Sequence, residues 1–383
     1  MIVNIEFFDE EPIENMMTSL NFQIDKTIFF GYEEIMSDNR AVTECFLKKY
    51  CHVKEVAFYA LSDNNLQTVL KTMRKVVEQE KAAKNDIFFD LTGGEDLLLI
   101  AFGMLAESFQ APMHMFEIES GKLTELNDKD VMPISQVAEK RKVKLNLDGF
   151  IEMRGGVINY NLQKDVKNLD DPEFTADVEK LWEISSKYGE RWNLFADFIR
   201  RCCEPDEGLF VNISGKQVLA ALRKTGRFRS VREAEKILRD LAEKGILENF
   251  SQDKEHLSFR YKSDKMKELL WDAGSILEMH TFMVEREGAD DCRVGVHLDW
   301  DGIIYNHSGK DTLNEIDVLS LHGVVPTFIS CKNGSVNQMA LYELETVADK
   351  FGGKYARKVI AAPQGLNDTH ALRAKEMKIE IRR

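Results

Sequence analysis

Residues 314–323, NEIDVLSLHG, and 325–334, VPTFISCKNG, form two β-type runs, with Asp317 among apolar neighbours in the first and Lys332 closing the second. An aspartate in such a run is costly to bury without a partner, so Asp317 is read as functional rather than as filler. Successive runs of this kind pair as antiparallel strands, which points Asp317 and Lys332 into one cleft. Upstream lie a helical stretch carrying Glu278, GSILEMHTFMVER (274–286), and a further β-type run, CRVGVHLDW (292–300). Downstream follow a helix, QMALYELETVADKFGG (338–353), and a last strand, KVIAA (358–362). Glu278 thus falls inside the first helix, Asp317 inside the second strand of a meander and Lys332 at the end of its third strand.

Hydrolysis of a phosphodiester needs a metal ion to polarise the phosphoryl oxygen and activate water, and a cation near the developing charge. Glu278 and Asp317 supply carboxylates for the metal and Lys332 supplies the cation. The layout resembles the core of the restriction-endonuclease-like, PD-(D/E)xK nucleases, and residues 266–383 are read as an α/β nuclease domain of that kind. One position departs from the motif. Ser330 stands where it carries Asp or Glu two residues before the lysine. Serine is a poor ligand for a hard divalent cation, so Glu278 contributes more, or the backbone carbonyl of Cys331 and water complete the shell. Glu315 shares a strand face with Asp317 and is a candidate to compensate. His297, Asp299 and Asp301 fall near the site in HLDWDG, a stretch equally read as a hairpin turn. His280 points elsewhere on its helix than Glu278 and reads as structural.

The first part, 1–145, alternates β-type runs (VNIEFF, KTIFFGY, VKEVAFYAL, DIFFDLT, PMHMFEI) with helical periods. That alternation predicts a parallel, Rossmann-like sheet covered on both faces, whose ligands bind at the carboxyl ends of the strands. Two strand ends stand out. One runs Asp9-Glu10-Glu11-Pro12-Ile13-Glu14-Asn15, with Pro12 placed to begin a helix; the other runs Asp90-Leu91-Thr92-Gly93-Gly94 into the apolar helix DLLLIAFGMLAE. Thr92, Gly93 and Gly94 offer a hydroxyl and unobstructed amides at a helix N-terminus, where a phosphate is favoured. The first loop lacks G-x-G-x-x-G, which argues against a dinucleotide cofactor and a nucleotide-dependent metabolic enzyme.

Between them, 146–265 opens with a strand-like connector, LNLDGFIEMRGGVINYNL, and an acidic stretch. It continues as two helical periods and the amphipathic pair LENFSQ and HLSFRYK, a winged-helix pattern edged by Arg223, Lys224, Arg227, Arg229 and Arg232. The chain of 383 residues carries a net charge of −14, which excludes indiscriminate coating of nucleic acid but not an enzyme acting on it. No run approaches the ~18 apolar residues of a membrane helix, and the N-terminus has acids where a secretory signal carries lysines. The six cysteines (Cys45, Cys51, Cys202, Cys203, Cys292, Cys331) lack a C-x-x-C pair and suit free thiols in a cytoplasmic protein.

With Glu278, Asp317 and Ser330-Cys331-Lys332 downstream of a Rossmann-like unit bearing Thr92-Gly93-Gly94, the chain resembles the CARF-domain nuclease effectors of type III CRISPR systems. The resemblance implies a homodimer whose N-terminal CARF domains bind a cyclic oligoadenylate, the tetra-adenylate foremost, across the two-fold axis. It implies cleavage of single-stranded RNA and DNA, or nicking of duplex DNA, with Mn2+ or Mg2+. Ligand contacts then fall on Asp9, Pro12, Ile13, Asn15, Thr92, Gly93 and Gly94, and catalysis on Glu278, Asp317 and Lys332, with Glu278, Asp317 and Cys331 toward the metal. The competing reading is a ligand-responsive transcription regulator that uses the winged helix and has an inactive nuclease-like domain.

Overall fold

The computed structural model describes residues 1–62, 65–126, 131–162, 171–202, 208–225, 231–253, 255–304 and 313–383. In the N-terminal unit, β1 (Ile2–Phe7), β2 (Lys26–Gly31), β3 (Glu55–Ala60), β4 (Asp86–Asp90) and β5 (Met113–Glu117) form a parallel sheet. β6 (Lys122–Leu126) closes it antiparallel to β5, and the order is β3-β2-β1-β4-β5-β6. The helices between them are α1 (Met17–Asn21), α2 (Glu33–Tyr50), α3 (Leu66–Ala82) and α4 (Asp96–Phe109). Val3, Ile5 and Phe7 of β1 pack in one core with Val69 and Met73 of α3 and Phe102 of α4, while Phe8 joins Phe46 and Leu47 of α2 in another. Both faces are therefore dry, which is why the central strands are rich in apolar residues and why even Asn4 and Glu6 of β1 are buried.

The helix expected at Pro12 does not form there. Glu14, Asn15 and Met16 instead donate to the carbonyls of Glu11, Pro12 and Ile13, a tight i to i+3 pattern, and α1 starts only at Met17. The Asn15 side chain bridges the Asp9 N–H (2.8 Å) and carbonyl (2.9 Å), which holds the segment as a loop.

A connector with α5 (Ile134–Val137), α6 (Leu147–Glu152) and β7 (Val157–Ile158) leads to α7 (Pro172–Tyr188) and α8 (Glu190–Cys202). Then comes a small unit in the region read as a winged helix: β8 (Phe210–Ser214), α9 (Gly215–Lys224), α10 (Val231–Glu243), β9 (Leu247–Gln252) and β10 (His256–Tyr261), its strands ordered β8-β10-β9. Ser214 and Gln217 cap α9 reciprocally, the signature that fixes its start. Arg223, Lys224 and Arg232 are exposed, and among the described residues none has an acidic partner; Arg227 and Arg229 lie outside the described residues.

After α11 (Asp264–Trp271) and α12 (Ser275–Arg286) come β11 (Asp291–Asp299), β12 (Leu313–His322), β13 (Val325–Cys331), α13 (Gln338–Gly352), β14 (Arg357–Ala361), α14 (Asp368–Glu376) and β15 (Ile379–Arg382). The sheet runs β15-β14-β13-β12-β11-β7. Neighbours from β7 to β13 are antiparallel, and β13, β14 and β15 are parallel. Ile276, Met279 and Phe282 of α12 bury against Val318, Ile329 and Val359 on one face, while Leu341, Leu344 and Phe351 of α13 cover Leu319 and Phe328 on the other. The expected helix–meander–helix–strand layout is present, and α14 and β15 extend it.

Among the described residues Cys45, Cys51, Cys202, Cys292 and Cys331 form no disulfide, and Cys203 lies outside the described residues. Among the described residues no helix is long and apolar enough to cross a membrane.

Candidate functional site

Strand pairing sets Asp317 opposite Ser330, one step before the Val318–Ile329 pair. On its other side the ladder passes from Val294/Val318 to Val296/Ile316, and Gly295 between them has φ 59°. A left-handed residue there interrupts the strand beside Asp317, the kind of irregularity that re-aims a side chain next to a site. Asp317 Oδ2 accepts from the Cys331 N–H (2.6 Å) and the Ser330 hydroxyl (3.2 Å) and lies 3.5 Å from Lys332 Nζ. Ser330 therefore orients the aspartate. Lys332 is held by its own N–H, which donates to the Ala361 carbonyl of β14 (2.8 Å).

Glu278 approaches from α12 and is buried. Burial pushes the Cys331 thiol well above the usual thiol range; the charges of Asp317 and Glu278 push the same way, and a hydrogen bond with Thr281 opposes them. The Asp317 and Glu278 carboxylates thus both act on the same sulfur, and a thiol is a soft partner for a hard cation. No group of three or more His, Cys, Asp or Glu close enough to hold a metal occurs among the described residues. An ion bound here would therefore take few protein ligands and keep several of its waters, as Mg2+ does.

Glu315 is exposed and lies 3.8 Å from His297, its cross-strand partner, rather than against Asp317. Asp299 is buried beside Asn159 (3.4 Å), and Asp301 accepts from Ile303 N–H (3.0 Å) in a turn. Asn333, next to Lys332, donates to Asn193 Oδ1 of α8 (3.0 Å) and to the Ala273 carbonyl just before α12 (3.1 Å). This tie fixes the lysine loop against two helices. Only the Asn-Gly turn hinted at Asn333, and nothing in the sequence hinted at Asn193.

In the N-terminal unit, β1 and β4 are neighbours although β2 and β3 intervene in sequence, so their carboxyl ends flank the topological switch point of the sheet. The loops after them meet there. Asp9 accepts from Gly94 N–H (3.1 Å) and Glu11 N–H (2.9 Å), and Thr92 donates its N–H (2.8 Å) and its hydroxyl to Asp90. Thr92 is thereby committed inward, and the Gly93 N–H has no acceptor among the described residues. α4 begins without a side-chain cap; Leu98 and Leu99 donate to the Glu95 carbonyl, which leaves the Asp96 and Leu97 amides to face an anion. A Cβ on Gly93 would come 2.9 Å from Glu14 Oε2, and Gly94 has φ 124°, so neither position accepts a side chain freely. Of the expected ligand residues, Asp9 and Pro12 are partly exposed, while Ile13 and Asn15 are buried and shape the loop.

The same loop grips the C-terminal sheet. Glu11 pairs with Arg154, whose Nη2 also donates to the Gly352 carbonyl (3.0 Å), and it accepts from Lys354 N–H (3.2 Å). Glu14 accepts from the Tyr355 hydroxyl and lies 2.8 Å from Lys354 Nζ. Burial raises the Glu14 pKa against these donors. Residues 353–355 run directly into β14, whose Ala361 holds Lys332, so one line of contacts joins the crevice loop to the lysine. Glu11→Leu should cost about 3–5 kcal/mol by leaving the buried Arg154 without its counter-ion, read as a lowered urea midpoint. An unchanged midpoint would mean that this pair does not hold the two units together.

No protein-family model and no curated protein matches the sequence. Solved structures do match along the whole chain. Protein VC1899 from Vibrio cholerae is 16% identical with a TM-score of 0.70, covering 100% of this chain and 93% of that one. Can2 from Sulfobacillus thermosulfidooxidans, solved in complex with cyclic tetra-adenylate, is 12% identical with a TM-score of 0.64, covering 99% of this chain and 92% of that one. At these identities the likeness is one of fold: this chain has the full-length architecture of both.

Proposed function

We propose that this chain is a divalent-metal-dependent nuclease switched on by a cyclic oligoadenylate, most simply the tetra-adenylate, and that it acts as a homodimer in type III CRISPR defence. The observation that carries the reading is the Asp317–Ser330–Cys331–Lys332 arrangement beside Glu278, within a fold shared end to end with Can2, whose structure holds such a ring. Glu278, Asp317 and the Cys331 carbonyl would hold Mn2+ or Mg2+, which when bound polarises the phosphoryl oxygen and activates water. Lys332 offsets charge developing at the scissile phosphate, and Ser330 and the Cys331 N–H keep Asp317 in its orientation. Single-stranded RNA or DNA, which it would cut, or duplex DNA, which it would nick, are the substrates this chemistry serves.

The crevice supports a ring in two ways. The Gly93 amide and the open N-terminus of α4 suit a phosphate, and the exposed carboxylates of Glu10 and Glu95 suit ribose hydroxyls, as acids do at switch-point nucleotide sites. A two-fold dimer would present this patch twice to a symmetric ring.

Metal dependence tests the catalytic half of the reading. Cleavage should stop in chelator and return with Mn2+, and Ser330→Glu, which restores the acid that the motif lacks, should lower the half-saturating Mn2+ concentration by about tenfold or more. Full activity in chelator would rule out the metal. A second reading, ligand-dependent binding of duplex DNA without cleavage, is favoured by the exposed Arg223, Lys224 and Arg232; it predicts retention of intact duplex in the same assay.

A further inference from the structure

α12 carries a second functional face beside that of Glu278. Leu277, His280, Thr281 and Val284, spaced as one helical stripe, line a cavity of about 140 Å³ together with Trp182 of α7 and Arg383. Two residues of the cavity wall touch neighbours of the candidate catalytic groups. Thr281 hydrogen-bonds the Cys331 side chain, and Ala361, whose carbonyl holds the Lys332 N–H, also lines the space.

Its chemistry is specific. Trp182 and His280 are stacked, with centroids 4.4 Å apart and planes 15° from parallel, and both remain partly exposed. Burial holds the His280 pKa below its ordinary value against the pull of Glu179, so at neutral pH the platform is flat and uncharged. Arg382 is engaged by Glu285 (2.6 Å) and Glu380 (2.8 Å), whereas Arg383 is exposed and among the described residues has no acidic partner. An uncharged aromatic platform beside an uncommitted guanidinium is what a single-stranded nucleic acid requires: a π-face for a base and a cation for its phosphate.

We propose that this cavity is a subsite for an unpaired nucleobase of the substrate strand, packed against the stacked Trp182–His280 pair through the open side of Trp182, with Arg383 on the adjoining phosphate. Its place next to a scissile bond rests on the nuclease reading; its affinity for single strands does not. A paired base is already stacked in its duplex, so the subsite favours single-stranded over duplex substrate.

The test is fluorescence anisotropy of a labelled oligo(dT) and of a duplex of equal length with the full-length protein, in Ca2+ to prevent cutting, with and without cyclic tetra-adenylate. Base–aromatic stacking of about 1–3 kcal/mol predicts that Trp182→Ala weakens single-strand binding roughly 5- to 150-fold, that Trp182→Phe recovers most of it, and that duplex binding is unchanged. Arg383→Ala should lower the slope of log affinity against log salt by about 0.7, the mark of one lost phosphate contact on a single strand. Because Arg383 is exposed, that readout survives if Trp182→Ala fails to fold. Wild-type affinity in Trp182→Ala and Trp182→Phe, or an unchanged salt slope in Arg383→Ala, overturns the subsite. Cleavage assayed in parallel separates the two ideas. Weakened binding by a chain that never cuts keeps the subsite and removes the nuclease, and unweakened binding by a chain that cuts does the reverse.

Discussion

Lys332→Ala and Asp317→Asn proteins are expected to cut at rates roughly two to three powers of ten or more below wild type, while still folding and still binding the ring. Lys332 is 37% exposed at its side chain, so truncating it removes charge at little cost to packing. Asp317 is less forgiving. Its Oδ2 is the acceptor for Cys331 N–H and Ser330 Oγ, and alanine would leave a part-buried N–H unpaired at about 1–3 kcal/mol. Asparagine keeps an acceptor and deletes only the charge, so its loss of rate reports on catalysis rather than on folding. Initial rates on single-stranded RNA in Mn2+, with urea midpoints and ring calorimetry on the same preparations, check the expectation. Wild-type rates in both variants would remove the assignment.

The second large effect is expected at Gly93. In Gly93→Leu the Cβ alone would meet Glu14 Oε2 at 2.9 Å, Glu14 Cβ at 3.1 Å and Asp9 Cβ at 3.2 Å, so the crevice loop must shift. The shift covers the Gly93 amide and strains the Glu14 contacts with Lys354 and Tyr355, the line that reaches β14. Ring binding should fall below detection by calorimetry, and ring-dependent cleavage should go with it, while Asp317 and Lys332 stay in place. A ligand shifts an equilibrium only by its difference in affinity for the two states, so a ring that no longer binds shifts nothing. Gly93→Leu protein that still cuts only when the ring is added would place the activator elsewhere.

Among the five parallel strands of the N-terminal unit, β1, β2 and β4 were legible because burial on both faces makes them largely apolar, while β3 and β5, nearer the edges, were legible from their β-type residues although they keep solvent-facing positions. β6 and β15 were not: KLTEL and IEIR are edge strands with half or more of their side chains in contact with solvent, and neither has an apolar run to betray it. Pro12 was read as a helix start from its residue type. The Asn15 side chain, bonded back to Asp9, made a loop of the segment instead. Asp317 and Lys332 came together as adjacent strands predict, since a two-residue period is local information. Asn193 and Arg154 were invisible for the opposite reason. Their partners Asn333 and Glu11 lie 140 and 143 residues away, and no local period encodes how separate units dock. The role of Ser330 emerged only with coordinates: lacking a carboxylate, it orients the one opposite.

The account stands on coupling between a ring in the switch-point crevice and a metal-assisted cut at Asp317 and Lys332. The most direct measurement is the initial rate of cleavage of single-stranded RNA and of plasmid by the wild-type chain in Mn2+, with and without saturating cyclic tetra-adenylate. Coupling of about 1–3 kcal/mol or more predicts a rate at least several-fold higher with the ring on at least one of the two substrates. Equal rates with and without the ring, or no cleavage of either substrate in its presence, would contradict it.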